Sequence, residues 1–340
     1  MYFSKLFKGL PFEYESFLIE KYDSFITTCR YIQIYYSTYD VNYFIVYDNS
    51  IIKDVFVFGN KANTSQIFNS LVEIDEDIIV ELIKNIFDKC PFIRKVFIDA
   101  SYAQFALKHS ISLCKSDDYI LNLPLTMDDF YFQLGYHTRK NIKNRKVRLQ
   151  KDYQTVNCVT KYGQEIEKTL IEKIVQLNCD RLKHKGIKPG KYNSNTDNIF
   201  KYSIFYGCVS YLEIDGKIVA GCISTIVNKA IFIHVIAFDN NYAKNNVGEI
   251  CVFQLIQTSI EKGLKTIHFL WGKTELKKRL LAKPHLLFSY LIFKSHSLDY
   301  MMHKFKTIWH LAFIQFKQSK YSLPFRHVIK SIEKKIYKIG

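Results

Sequence analysis

The sequence contains no Cys-x-x-C pair and no histidines clustered at metal-ligand spacing. Its eight cysteines (Cys29, Cys90, Cys114, Cys158, Cys179, Cys208, Cys222 and Cys251) stand far apart, several inside strand-like or helix-like runs as small apolar residues. These absences exclude a zinc framework and a disulfide framework, and no metal is expected. Lys5 and Lys8 are not followed by an apolar segment, so no secretory signal is expected. Long apolar runs are missing too: the stretch 286–293 is interrupted by Ser289 and falls far short of the roughly 18 to 20 residues that span a bilayer. A reducing cytoplasm is the expected compartment. No Gly-x-Ser-x-Gly elbow occurs and no cysteine has a base beside it in sequence, so a covalent acyl-enzyme is not signalled. Carboxylates are scarce. Asp and Glu number 32 against 48 Lys and Arg, and the resulting +16 points to polyanionic partners such as nucleotides, nucleic acid or an anionic membrane surface.

What is present concentrates in residues 208–280. CVSYLEI (208–214) and KIVAGCISTIV (217–227) are strand-like and flank Asp215-Gly216, a dipeptide suited to a tight hairpin turn. KAIFIHVIAF (229–238) is apolar on both faces and too short for an ordinary helix, which predicts a central strand. After Asn245-Asn246-Val247-Gly248 the period changes to that of a helix over 248–262, ended by Gly263. A strand over 265–271 and a short basic helix capped by Thr274 follow. A strand that feeds a helix N-terminus through a Gly-containing turn presents unpaired N–H groups, a natural phosphate site. Glu249 in the first helical turn would repel phosphate, so its side chain is expected to point away.

The chain of 340 residues, 48% hydrophobic, suits two domains. Its first part predicts strands at 31–36, 43–47 and 51–58, a helix at 75–89, and strands at 94–98 and 119–125, broadly a degenerate version of the later segment. No glycine-bearing loop precedes that helix, and no convincing sequence repeat is found. Residues 128–152 read as one helix carrying Arg139, Lys140, Lys143, Arg145, Lys146, Arg148 and Lys151. At 100° per residue these spread around most of the cylinder, so some must have anionic company. Solvated surface, nucleic-acid contact and phosphate binding by Arg139 and Lys140 all stand as readings. Helices at 163–186 and 195–206 lead into the later segment, joined by a Gly- and Pro-containing loop at 185–195 that is either a connector or an active-site cover. Basic helices at 297–317 and 325–339 either dock on the core or rest on an anionic membrane.

The order hairpin, long strand, Gly turn, helix, strand resembles the acyl-CoA-binding core of the GNAT acyltransferases. The details are similar to the branch that serves cell-envelope and polysaccharide biosynthesis, distantly related to Fem-type aminoacyl transferases. The residues that carry the resemblance are Asp215-Gly216-Lys217 with Ala220, Tyr242 with Gly248, Gly263, Gly272 with Lys277, and Thr138-Arg139-Lys140-Asn141. It implies an α+β fold with a mixed, largely antiparallel sheet in tandem GNAT-like halves. The expected domains are a degenerate N-terminal one (1–160), a catalytic one (161–296) and a basic C-terminal one (297–340).

The resemblance further implies an acyl-CoA co-substrate. Its pantetheine would pair with backbone at Ala237 and Phe238, and its pyrophosphate with the turn formed by Asn245, Asn246, Val247, Gly248 and Glu249. Direct attack by an amine requires a proton acceptor. His234, interrupting the central strand, is the first candidate, although a buried, hydrogen-bonded core histidine is the commoner identity for such a residue; His268 and Glu275 are reserves, and Tyr242 could protonate the leaving thiolate. Arg139, Lys140, Trp271, Lys273 and Lys277 are the expected acceptor-binding residues. The expected acceptor is the amine of a nucleotide-linked (dTDP or UDP) amino-deoxysugar for O-antigen or capsule, with an acetyl or short hydroxyacyl group such as 3-hydroxybutanoyl transferred. No specific nucleic acid is expected, and peripheral membrane association stands open. A Fem-type aminoacyl transferase acting in peptidoglycan synthesis and a non-catalytic nucleic-acid-binding protein are the alternatives.

Overall fold

Asp215 and Gly216 both take positive φ, 47° and 75°, and so fold the 208–227 segment into the tight hairpin their sequence suggests. In the computed structural model, which describes residues 2–187, 195–272, 274–294, 298, 300–302 and 304, that hairpin belongs to one continuous 12-stranded sheet. The first half runs β1 (Tyr2–Lys8), α1 (Glu15–Tyr22), α2 (Cys29–Tyr35), β2 (Asp40–Asp48), β3 (Ile51–Lys61), β4 (Thr64–Ile67), α3 (Glu76–Lys89), β5 (Lys95–Ser101) and β6 (Ser110–Asn122). Helices α4 (Met127–Gln133) and α5 (Tyr136–Asp152) connect it to β7 (Val156–Tyr162), α6 (Lys168–His184) and α7 (Thr196–Tyr206). There follow β8 (Gly207–Ile214), β9 (Lys217–Val227), β10 (Ala230–Phe238), α8 (Val247–Glu261), β11 (Thr266–His268), α9 (Glu275–Arg279) and β12 (Lys283–Phe293).

The two halves repeat. In β1 to β5 the successive pairings are antiparallel three times and then parallel, and β7 to β11 show the same series. Two helices separate the first and second strands of each series, and one helix separates the fourth and fifth. The mixed, largely antiparallel sheet in tandem halves is as expected. The sixth strands are exchanged: β6 pairs with β11, β12 pairs with β5, and β6 and β12 pair with each other at the centre. Residues 286–293, read from sequence only as an apolar stretch, thus lie in a central strand, with Leu287, Tyr290, Ile292 and Phe293 buried.

Each half has its own core, α3 packing on the first series and α8 on the second. A third cluster closes the seam, where Phe25 and Leu71 of the first half meet Tyr202, Phe232 and Leu287 of the second. Thr28 and Tyr202 share a hydrogen bond of 2.9 Å there.

Several expected elements differ. Residues 31–36 form most of α2 rather than a strand, because Thr28 caps the helix and Tyr31 stacks on Tyr35 at 4.4 Å, a contact between residues four apart that a helix makes and a strand does not. The helix expected over 128–152 is two helices. Leu134, extended at ψ 144° and buried in the α8 core, breaks it just before Gly135. The helix expected from 163 begins at Lys168, after a 3-10 turn opened by Gly163 at φ 49°. The strand expected over 265–271 stops at His268, since Leu270 and Gly272 both take positive φ. Strands β1, β4 and β7 were not anticipated. Most of the loop at 185–195 and most of the expected C-terminal helices lie outside the described residues.

Because β12 is shared, the halves should unfold together. Ile292→Ala is expected to cost about 2 to 5 kcal/mol and to shift one common urea transition; two separate transitions, read by circular dichroism and tryptophan fluorescence, would contradict this.

Candidate active site

Parallel pairing between β10 and β11 lasts for three residue pairs and ends at Phe232 and His268. Beyond that point β10 continues to Phe238, paired with β9 alone, and carries a bulge between Ile233 and Val235. The strands splay, and the backbone of residues 233–238 faces an opening instead of a neighbour. A cleft of about 440 Å³ occupies the opening, lined among others by His234, Phe238, Gly248, Glu249, Trp271 and Arg181.

The N-terminus of α8 forms one wall. Asn246 is left-handed (φ 53°, ψ 39°), and its carbonyl accepts the amides of Glu249 and Ile250 at 2.9 and 3.2 Å. Val247 and Gly248 supply first-turn amides that no helical carbonyl can reach. The reason for glycine at 248 is visible: an added Cβ would lie 2.8 Å from the Phe238 ring. Val247 turns its side chain into the core, whereas Ala237 is buried on the α6 side and pairs with Gly221. Asn245 ends the 3-10 turn that leads to Asn246.

Glu249 does not point away from the cleft. Its carboxylate is buried and held by Arg145 of α5 at 2.6 Å and Arg279 of α9 at 3.0 Å. Its negative charge is therefore neutralised in place, and the arginines that do this were not singled out from sequence. Arg181 adds another cation. Its guanidinium lies 5.6 Å from the Phe238 ring centre, Nη2 donates to Asn178 at 2.7 Å, and Nε has no hydrogen-bond partner among the described residues. Burial lowers its pKa. Arg181 and Arg279 leave the cleft favourable to an anion.

Lys277 is not a phosphate grip. Its ammonium donates to the carbonyls of Leu270, Trp271 and Gly272 at 3.0, 2.7 and 2.6 Å, which commits all three of its protons to the turn after β11. Burial pushes its pKa down to about 8, with Asp118 opposing. Its role is to hold Trp271, which stays half exposed at the rim. Arg139 and Lys140 also lie elsewhere, lining a different pocket between α5 and α8. Tyr242 packs on Tyr153, ring centres 5.7 Å apart, with Lys217 over its face; it does not line the cleft. Glu275 faces solvent beside Lys278. Lys273 falls outside the described residues.

The histidines differ sharply. His234 shares a 2.8 Å hydrogen bond with Thr225 and meets Phe25 edge-on at 4.7 Å. Burial drives its pKa down to about 3, so it is neutral at pH 7 and a very weak base. His268 stands at the apex of the splay, stacked on Phe232 at 4.4 Å, with Nδ1 2.7 Å from the fully buried Asp118. Tyr102 donates to the same Asp118 oxygen at 2.7 Å, and burial followed by Asp118 raises its pKa far enough to keep that proton. A carboxylate on Nδ1 fixes the imidazole tautomer and leaves Nε2, 3.3 Å from Thr266 Oγ1, as the nitrogen that can accept a proton. Asp118 and Tyr102 carried no local signal, since their partner lies about 150 residues away in sequence. Among the described residues no group of three or more His, Cys, Asp or Glu could hold a metal ion.

Two outcomes are expected. Lys277→Met should lower stability by about 3 kcal/mol, measured by urea unfolding, because three turn carbonyls lose their donor; an unchanged midpoint would contradict the assignment. His234 binds its proton less readily when folded than when unfolded, so its contribution is present above about pH 6.5 and is lost as pH falls toward 3. His234→Gln should therefore reduce the stability difference between pH 7 and pH 4.5 by about 2 kcal/mol, and an identical pH dependence in the variant would refute this.

Residues 137–278 match the model of the Acetyltransferase (GNAT) domain. No curated protein matches the sequence significantly. Among solved structures, FemX is similar in fold at a TM-score of 0.63 and 8% identity, over 85% of this chain and 97% of that one. A conserved protein of unknown function from Bacteroides thetaiotaomicron aligns at 0.56 and 15% identity, over 84% and 98% of the two chains. A tandem GNAT protein from the clavulanic acid biosynthesis pathway aligns at 0.52 and 6% identity, over 87% and 100%. With the splayed strands and the helix N-terminus set between them, residues 137–278 carry a GNAT acetyltransferase domain within a tandem GNAT-like fold, which supports an N-acyltransferase.

Proposed function

We propose that the cleft between β10 and β11 binds an acyl-CoA and delivers its acyl group directly to an amine, the C–N bond forming as the thioester C–S bond breaks, with His268 receiving the amine's proton and CoA leaving as its thiolate. The observation that carries this reading is the splay itself: unpaired β10 backbone, the α8 amides and two arginines converge on one cleft, and a histidine oriented by a buried carboxylate ends the β10–β11 pairing where the strands part, next to the cleft residue Phe269. The β10 edge from Ile233 to Phe238 suits the amides of pantetheine, and the Val247 and Gly248 amides with Arg181 and Arg279 suit a diphosphate. Asp118 holds the imidazole, and Tyr102 holds Asp118. His234, near-permanently neutral, positions β10 through Thr225. Tyr242 and Glu275 have no part in this arrangement.

The acceptor we favour is the amine of a nucleotide-linked amino-deoxysugar destined for O-antigen or capsule, acylated with an acetyl or short hydroxyacyl group in the cytoplasm. Its support is the cationic cleft, the half-exposed Trp271 face at the rim, which can stack on a sugar or base, and the sequence resemblance. Among the described residues no helix is long and apolar enough to cross a membrane. A second reading, Fem-type transfer from an aminoacyl-tRNA, has its own observation: the Phe238 ring crowds Gly248, and Glu249 engages Arg279 at the place where a diphosphate would sit.

Calorimetric titration with CoA, followed by thiol release with amino-sugar nucleotides, separates the two. CoA binding with turnover on an amino-sugar nucleotide is expected; no CoA binding together with transfer from aminoacyl-tRNA would replace the first reading with the second. His268→Gln and Asp118→Asn should each lower kcat by roughly 10²- to 10⁴-fold with little change in KM, and His234→Gln by far less. Unaltered kcat in His268→Gln would remove the proposed proton route.

A further inference from the structure

On the side of α8 away from the cleft, a second pocket of about 700 Å³ opens against α5. Its floor is apolar, formed in part by Tyr131, Ile250 and Phe253, while Arg139, Lys140 and Lys143 stand around it. None of these residues has a part in the acyl-transfer cleft. The helical corner beside the pocket carries large apolar side chains directed at solvent: Leu125 is 94% exposed, Phe132 83% and Tyr136 63%. Such residues on a soluble surface call for a partner when they occur together and next to a groove.

The charge around them says which partner. Between residues 125 and 152 the sequence has seven cations, Arg139 to Lys151, against three carboxylates, Asp128, Asp129 and Asp152. Arg145 pairs with Glu249 and Arg148 with Asp152, which leaves Arg139, Lys140 and Lys143 as the cations at the pocket. Asp129 is engaged at the start of α4, where Thr126 donates to it at 2.7 Å. Lys140 lies 6.0 Å from the Tyr136 ring centre, so cation and amphipathic aromatic occupy one place. Exposed aliphatic and aromatic residues interleaved with Lys and Arg are the chemistry of a bilayer interface with anionic headgroups. A nucleic acid would use the cations and Tyr136, yet it has no use for Leu125, and an apolar groove offers nothing to a phosphodiester backbone.

We propose that the α4–α5 corner docks on an anionic phospholipid bilayer. Leu125, Phe132 and Tyr136 enter the headgroup region, Arg139, Lys140 and Lys143 face lipid phosphates, and the groove between α5 and α8 receives part of one acyl chain. This surface is independent of the donor and acceptor assigned to the cleft.

The test uses the full chain with phosphatidylcholine vesicles, with or without 30 mole per cent phosphatidylglycerol, added at roughly physiological ionic strength where exposed charges are screened within about 8 Å. Sedimentation should show at least tenfold stronger partition onto the anionic vesicles. The double variants Leu125→Ser with Phe132→Ser, and Lys140→Glu with Lys143→Glu, should each lose at least tenfold in partition while keeping the wild-type melting curve, since all four side chains are exposed. In Phe132→Trp, emission in excess of that of the two native tryptophans should be quenched by brominated acyl chains. The proposal is overturned if both double variants partition like the wild type, if the added tryptophan is not quenched on bound vesicles, or if vesicles are ignored while tRNA binds and Lys140→Glu with Lys143→Glu abolishes that binding.

Discussion

The antiparallel pairing of β6 with β12 is the contact on which the remainder of the molecule depends. Each strand leaves its own half and completes the other, so the sheet continues from β1 to β7 without a free internal edge. A consequence is that β11 is supported on one side by β6 from the opposite half. β11 pairs with β10 and with β6 over the same three residues and ends at His268. The cleft exists because β10 runs on to Phe238 after that neighbour has ended.

A second constraint is electrostatic. Glu249 draws Arg145 from α5 and Arg279 from α9 onto the first turn of α8, tying three helices together through one buried carboxylate. A buried ion pair of this kind gains little net stability, because desolvation offsets attraction, but removing one partner leaves an uncompensated charge. The cluster therefore fixes geometry more than it adds stability. Lys277 does the same for the exit of β11, where Leu270 and Gly272 in left-handed conformations would otherwise leave carbonyls turned inward without donors.

Much of the second half was legible because its signals are local. Asp215-Gly216 specifies its own turn, the apolar run from Ala230 to Phe238 specifies a buried strand, and Thr274 caps α9 by bonding to the Lys277 amide. What could not be read depends on distant partners. Nothing near Leu286 says that it begins the stretch that inserts between β5 and β6, and Tyr31 resembles a strand residue until Tyr35 and Tyr202 are placed around it. The cleft was similarly half visible. Phe238, Gly248 and Trp271 follow from chain order, whereas Asp118 reaches His268 through the exchanged strand, and Arg145 was one of seven similar cations until Glu249 selected it. Lys277 was noticed for its position and misread in its duty, since the number of carbonyls around a lysine is a property of the folded turn.

The hydrogen-bonded series Tyr102, Asp118 and His268, the relay of the proposed mechanism, has mixed parentage. Tyr102 and Asp118 belong to the first half and His268 to the second, so a chain nicked in the connecting helices would carry an incomplete relay on each piece. The same exchanged strands that divide the relay would also hold the pieces together, each fragment lending the other its sixth strand.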